Sequence, residues 1–353
     1  MNKILIINPF GIGDVLFTTP MISNLRRAYP QACIAYIGNR RTADFLSRNA
    51  KINRVFVYER DEFFDIYKKD PLKFFKKWWV FVQEIRKQEF DVVFDLSLNS
   101  TFGFICRLCG IPKRIGYDYR GRGRFLTNQF PLEGYEGRHV VEYYLDLLRF
   151  MDIAVTHKGM EFFMTDLDED WAKQWLKNQG IDSSKPVVAV VPGGGASWGD
   201  QAKNKRWPAQ KYVELTDKII AQCNAAVILM GDVKEEPMCL EIARLARFHL
   251  YSVAGKTSLV QMASLFKQCG LVIANDGGPL HVAVASGVRT VSIFGPVDET
   301  VYGPYPMEGH VVIKKGLACQ PCYRRFRMSD CKHLSCLQEL SVEDVFRKVN
   351  QIL

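Results

Sequence analysis

The sequence predicts an α/β protein made of two doubly wound domains, each built on a parallel sheet. Short β-branched runs alternate with longer helical patterns, the signature of strands joined by crossover helices. The alternation runs through residues 3–96 and returns over 187–295. A chain of 353 residues, 48% hydrophobic and 24% charged, is long enough to bury two cores.

The first series consists of KILIIN at 3–8, a helix from about Pro20, ACIAYIG at 32–38, RVFVY at 54–58 and DVVFDL at 91–96. The second consists of VVAVVPG at 187–193, AAVILMG at 225–231, LYSVAG at 250–255, LVIANDG at 271–277 and TVSIFG at 290–295. Between them lies a polar, acidic stretch from Thr165, which sets the boundary near 155–185. The expected division is residues 1–165, residues 166–338 and a closing helical segment, 339–353. Asp166 and Asp168 spell D-x-D. That pattern reads as a helix start, since acidic residues favour the first turn, or as a holder of metal-bound phosphates.

The net charge of +9 is uneven. Residues 1–150 carry 24 Lys+Arg against 16 Asp+Glu, or +8, leaving +1 for the remainder. An anionic partner for the first half is one reading, and a solvated basic face is the other. Residues 62–87 interleave six lysines and an arginine with Phe63, Phe64, Phe74, Phe75, Trp78, Trp79 and Phe81. Such a segment suits a membrane surface or an amphipathic helix packed on its own domain. The N-terminus lacks the pattern of a signal peptide, and no apolar run nears bilayer-spanning length, so cytoplasmic residence is expected. Nucleic-acid binding has no motif behind it. Ten cysteines in such a chain read as thiols. Cys319, Cys322, Cys331 and Cys336 are spaced C-x2-C-x8-C-x4-C and form a weak candidate for a structural metal.

Three segments carry chemistry. The first strand runs into Asn8-Pro-Phe-Gly-Ile-Gly-Asp14, then Thr18, Thr19 and Pro20. Leu16 stands where a dinucleotide fingerprint needs its third glycine, and the second strand ends in Asn39, Arg40 and Arg41, not in an acidic residue, which argues against NAD. Asp14, at the carboxyl end of strand one, suits a general base or a helix cap. In the second half, Gly193, Gly194 and Gly195 follow a strand directly, with Lys203, Lys205, Arg206, Trp207 and Pro208 after them. Adjacent glycines let amides approach phosphate oxygens, and the cations can neutralise a departing diphosphate. The strand LVIAN then ends in Asn275-Asp276-Gly277-Gly278-Pro279-Leu280-His281, a glycine-opened helix start suited to an anion.

Taken together, Gly11 to Pro20, Pro192 to Pro208 and Asp276 to His281 resemble glycosyltransferase family 9, the lipopolysaccharide heptosyltransferase family. The tail SIFGPVDETVYGPYP…CQPCYRR is similar to that of heptosyltransferase II-like members. The resemblance implies a GT-B architecture, two facing Rossmann-like domains with a central cleft, the acceptor on the first and the nucleotide sugar on the second. The closing helix commonly crosses back to the first domain in this family. It implies an inverting, metal-independent transfer of heptose from ADP-heptose to a lipopolysaccharide inner-core acceptor, with no cofactor required. Asp14 would be the general base and Lys205 the second catalytic residue, on the diphosphate. Gly194, Gly195, Ser197, Glu235, Thr257, Asp276, Gly277, Gly278 and His281 would line the donor site, with Glu236 the alternative to Glu235 at the ribose. Gly13, Thr18 and Arg120 would meet the acceptor. The partners implied are a nucleotide-diphosphate sugar and an anionic glycolipid, met by a monomer at the inner face of the cytoplasmic membrane. Alternatives are a transferase of the same fold with another donor or acceptor, and an inactive nucleotide-binding or scaffold protein.

Overall fold

A computed structural model of the chain describes residues 1–182, 184–195 and 199–353. The chain divides into two compact units. The first comprises Met1–Tyr135 and Val140–Lys158, and the second Glu136–His139 and Gly159–Leu353.

The first unit runs β1 (Lys3–Ile7), α1 (Ile12–Leu16), α2 (Thr19–Ala28), β2 (Cys33–Gly38), α3 (Arg40–Ser47), β3 (Arg54–Val57), α4 (Arg60–Lys69), α5 (Pro71–Arg86), β4 (Val92–Asp95), α6 (Ser100–Leu108), β5 (Lys113–Tyr119), β6 (Asn128–Leu132) and α7 (Val140–Arg149). The second runs α8 (Asp166–Asn178), β7 (Val187–Val191), a 3-10 turn (Gly199–Lys205), α9 (Ala209–Cys223), β8 (Ala226–Leu229), α10 (Glu236–Leu245), β9 (Tyr251–Ser252), α11 (Leu259–Lys267), β10 (Leu271–Asn275), α12 (Gly278–Ala285), β11 (Thr290–Ile293), α13 (Glu299–Tyr302), β12 (His310–Ile313), a small hairpin of β13 (Tyr323–Arg324) and β14 (Arg327–Met328), α14 (Ser335–Gln338) and α15 (Val342–Ile352).

Each unit holds a six-stranded sheet. The first has the order β3-β2-β1-β4-β5-β6 and the second β9-β8-β7-β10-β11-β12, with every pairing parallel. Counted from its own first strand, each follows the same doubly wound order. These are two Rossmann-like domains of the kind that make up the GT-B fold. The order reverses between β1 and β4 in one sheet and between β7 and β10 in the other. Open parallel sheets bind ligands at such switch points, beyond the carboxyl ends of the strands.

The central strands are apolar because both faces are covered: β7 (VVAVV) and β10 (LVIAN) are buried throughout. In the first unit Leu5, Ile7, Ile37 and Val93 pack under Phe81, Ile85 and Phe102. In the second, Val188, Val190, Leu229, Ile273 and Ile293 pack with Trp207, Tyr212 and the closing helix. For α15, a return to the first domain was expected. It buries Val345, Phe346 and Val349 in the core of the second unit instead, because its apolar stripe meets α9 and β11.

The D-x-D segment is a helix start. Thr165 and Asp168 form a capping box that opens α8, and the Asp168 carboxylate accepts the Thr165 amide at 2.8 Å. The late cysteines are free thiols, with Cys319 exposed and Cys336 buried. Among the described residues no group of three or more His, Cys, Asp or Glu side chains is gathered for a metal ion. The four thiols are nonetheless near enough to feel one another: burial first, and then the charges of Cys322, Cys331 and Cys319, push the Cys336 thiol up to about 11.

Candidate active site

In the first unit the candidate edge is the turn after β1. Asn8 is buried and donates from Nδ2 to the Asp14 backbone carbonyl at 3.1 Å, which fixes the loop against α1. Asp14 itself is half-buried in the first turn of α1. Tyr36, Tyr135 and Tyr144 are buried near enough to feel its charge. Burial drives their phenols well above the usual range, and the negative charge of Asp14 pushes the same way. These phenols stay protonated.

The acceptor residues named from sequence fare differently. Gly13 is half-buried beside Asp14, and its carbonyl accepts the Phe17 amide. Thr18 is fully buried, and its hydroxyl donates to the Val15 carbonyl at 2.6 Å and lies 3.0 Å from the Tyr36 hydroxyl. It braces the loop from below and is not an acceptor contact, because the turn between α1 and α2 points it inward. Arg120 is exposed just past β5, at φ +56°, with its guanidinium 4.9 Å from the centre of the Tyr119 ring.

In the second unit the glycine loop after β7 meets the loop after β10. Asn275 joins them through four hydrogen bonds. Its Nδ2 donates to the carbonyls of Pro192 (2.7 Å) and Gly193 (2.8 Å), while its Oδ1 accepts the Trp207 amide (3.2 Å) and the Tyr212 hydroxyl (2.9 Å). Sequence reasoning passed over Asn275 in favour of its neighbour. A buried amide closing a strand is the signal that would have found it.

The two loops touch so closely that side chains are excluded. A Cβ on Gly277 would fall 2.2 Å from the Gly194 carbonyl oxygen, and one on Gly193 would fall 1.8 Å from Glu235 Oε1. Gly278 then opens α12. Lys205 Nζ lies 2.7 Å from Asp276 Oδ2, with both side chains over 90% buried. A charge pair this dry holds only while both partners are present.

Glu235, expected at a ribose, is turned into the loop. It is buried, and its Oε1 accepts the amides of Gly194 (3.1 Å) and Gly195 (3.0 Å) while Oε2 accepts that of Asp232 (3.1 Å). Arg206 Nη2 stands 3.7 Å away. The carboxylate thus shapes the glycine loop as an internal anion would. Glu236 is half-buried beside Gly255. Thr257 is half-buried past β9, at the edge of the sheet and two strands out from β7. Ser197 lies outside the described residues.

His281 is buried in α12, where burial first, and then the charges of His139 and Lys205, push its pKa down to about 3. His139, which the sequence reading did not single out, belongs to the second unit although it precedes α7. Its Nε2 lies 3.0 Å from the Gly303 carbonyl, and its ring stacks on Tyr305 with centroids 4.6 Å apart.

A glycine loop, a glycine-opened helix and a buried lysine converge on one switch point, and this is where a phosphorylated ligand fits an open α/β sheet. A model of glycosyltransferase family 9 (heptosyltransferase) matches residues 78–333. The chain belongs to that family. It is a glycosyltransferase. Among its relatives, lipopolysaccharide heptosyltransferase 2 of Escherichia coli K12 is 25% identical over 319 residues, covering 88% of this chain and 87% of the relative. A family 9 glycosyltransferase structure from Veillonella parvula superposes with a TM-score of 0.82 at 20% identity, over 99% of this chain and 97% of that one. An E. coli heptosyltransferase solved with ADP-2-deoxy-2-fluoro heptose does so with a TM-score of 0.72 at 19% identity, over 99% of each chain.

Two outcomes check this geometry. Lys205→Met leaves the Asp276 charge stranded and destabilises the second domain by about 3–5 kcal/mol in denaturant melts, while Lys205→Met with Asp276→Leu recovers most of that loss. A double variant as unstable as the single one contradicts the pairing. His281 titrates near 6.5 when unfolded and near 3 when folded. As pH falls through that window, the unfolded state binds a proton that the folded state refuses. The domain therefore loses up to about 1.4 kcal/mol of stability per pH unit on acidification, and His281→Gln flattens that slope.

Proposed function

We propose that this family 9 enzyme moves a heptose from ADP-heptose to a lipopolysaccharide inner-core saccharide by single displacement with inversion. The observation that carries the reading is the match between two strand edges and two chemical tasks: a carboxylate in the turn after β1, and closely apposed glycine loops with the buried Lys205–Asp276 pair after β7 and β10. Asp14 takes the proton of the acceptor hydroxyl as its oxygen attacks the anomeric carbon. The bond from that carbon to the diphosphate oxygen breaks on the opposite face, and ADP leaves.

Charge develops on the departing diphosphate. Lys205 and the amides opening α12 are the groups that stabilise it, acting as fixed donors in a dry site. The reading therefore asks for no metal and no other cofactor. His281, held neutral by burial, offers hydrogen bonding and no charge. With the Glu235 oxygens already committed to amides, Glu236 is the carboxylate left to hold ribose hydroxyls. The relatives named above, one a lipopolysaccharide heptosyltransferase and one solved with an ADP-heptose analogue, support heptose as the sugar and ADP as the carrier. An acceptor of this class is lipid-linked and anionic, which fits the basic excess of residues 1–150 and puts the work at the inner face of the cytoplasmic membrane.

The test is a pair of measurements on purified protein. Calorimetric titration shows ADP binding ahead of UDP and GDP. Asp14→Asn then lowers kcat for heptose transfer by about 10²- to 10⁴-fold with ADP affinity unchanged. Near-normal turnover of Asp14→Asn removes the general base, and a preference for UDP or GDP moves the enzyme to another sugar.

A further inference from the structure

The α4–α5 hairpin carries more apolar surface than its domain can use. Its inner side is accounted for: Phe63, Phe81, Val82 and Ile85 are buried in the core of the first unit, with Phe74 and Trp78 packed against it. Yet Phe64, Tyr67, Leu72, Phe75, Trp79 and Val80 are all exposed, each by at least half and Leu72 by 83%. On α5 the residues Leu72, Phe75 and Trp79 fall at i, i+3 and i+7, which puts them on one stripe of the helix, turned away from the buried Phe81 and Ile85. The helix is apolar on two faces and has a home for only one of them.

The charge beside this stripe is one-sided. Residues 68–80 contain Lys68, Lys69, Lys73, Lys76 and Lys77 against a single Asp70, a local excess of +4, and of these Lys77 is paired with Glu62 of α4. Lys68 reaches over the Phe64 ring at 4.3 Å. Rings and leucine rimmed by long, flexible cations are what a helix lying in a headgroup layer presents: the rings sit at the boundary of the acyl region and the ammonium groups reach lipid phosphates. A protein partner would bury those cations at a cost, whereas phosphates meet them in place. No helix among the described residues is long and apolar enough to cross a membrane.

The position of the hairpin gives this surface a use. All strands of the first sheet run parallel, so α4, which follows β3, starts from the same sheet edge that carries Asp14 after β1.

We propose that the outer face of the α4–α5 hairpin is the membrane-docking surface of the enzyme and binds an anionic lipid bilayer in the headgroup plane. The inference deepens the functional reading and rests on it for the lipid-linked acceptor. Docking there holds the acceptor-side edge at the layer where such an acceptor is found.

Sedimentation with sucrose-loaded vesicles tests it on the full chain. Wild-type protein pellets with phosphatidylglycerol/phosphatidylethanolamine vesicles, pellets far less with pure phosphatidylcholine, and is released by high salt. The variant L72S/F75S/W79S loses at least tenfold in vesicle affinity, keeps its melting temperature because all three side chains are exposed, and keeps wild-type turnover on a delipidated saccharide acceptor. A triple variant that binds vesicles as wild type does, or wild-type protein that ignores anionic vesicles, overturns the proposal. So does self-association that the triple substitution abolishes without any vesicle binding. Vesicle binding by a protein that transfers no heptose supports the surface and defeats the functional reading. Transfer to the delipidated acceptor without vesicle binding does the reverse.

Discussion

The second domain depends on Asn275 for the shape of its ligand edge. One buried amide at the end of β10 ties down the carbonyls of Pro192 and Gly193, the Trp207 amide and the Tyr212 hydroxyl. Each net hydrogen bond contributes about 1 kcal/mol, but an orphaned buried amide costs more than any single bond returns, so the four act as a set. With the loop pinned from below, Glu235 can hold the glycine amides from the side and Lys205 can lie against Asp276. The charges present before any ligand arrives are nearly balanced: Lys205 and Arg206 face Asp276 and Glu235. The edge is therefore lined by paired charges and is not a bare cationic pit.

The first domain solves a different problem on the same topology. Its switch point offers a half-buried carboxylate near tyrosines whose protons are locked by burial. Asp95, one strand over at the end of β4, is buried and raised to about 6, and its Oδ1 accepts the Ser97 amide at 3.0 Å. It is buried and committed to the turn that leads into α6, whereas Asp14 stands part-exposed.

Much of this was legible from sequence, for a physical reason. Strands covered on both faces read as unbroken apolar runs, which is how β1, β4, β7 and β10 declare themselves. Of the sheet strands that escaped notice, β5 carries Lys113, Arg114 and Asp118, β6 is an edge strand that contains Pro131, and β12 (HVVI) is a half-buried edge strand of only four residues. Glycine loops and a strand-ending carboxylate were visible because their chemistry is local. What stayed hidden depends on partners far along the chain. Glu235 meets Gly194 across 41 residues and Asn275 meets Pro192 across 83. Thr18 looked available until the packing of Tyr36 showed where its hydroxyl goes. The closing helix followed its apolar stripe into the nearer core.

The claim on which the account turns is that the glycine loop after β7 and the start of α12 together cradle the donor diphosphate. Amide hydrogen exchange of the full chain with and without saturating ADP reads this directly. Slowed exchange concentrated at residues 193–195 and 277–280 is expected, with Lys205→Ala erasing the effect at the same ADP concentration. Unchanged exchange in both segments, with protection appearing elsewhere in the chain, would contradict it.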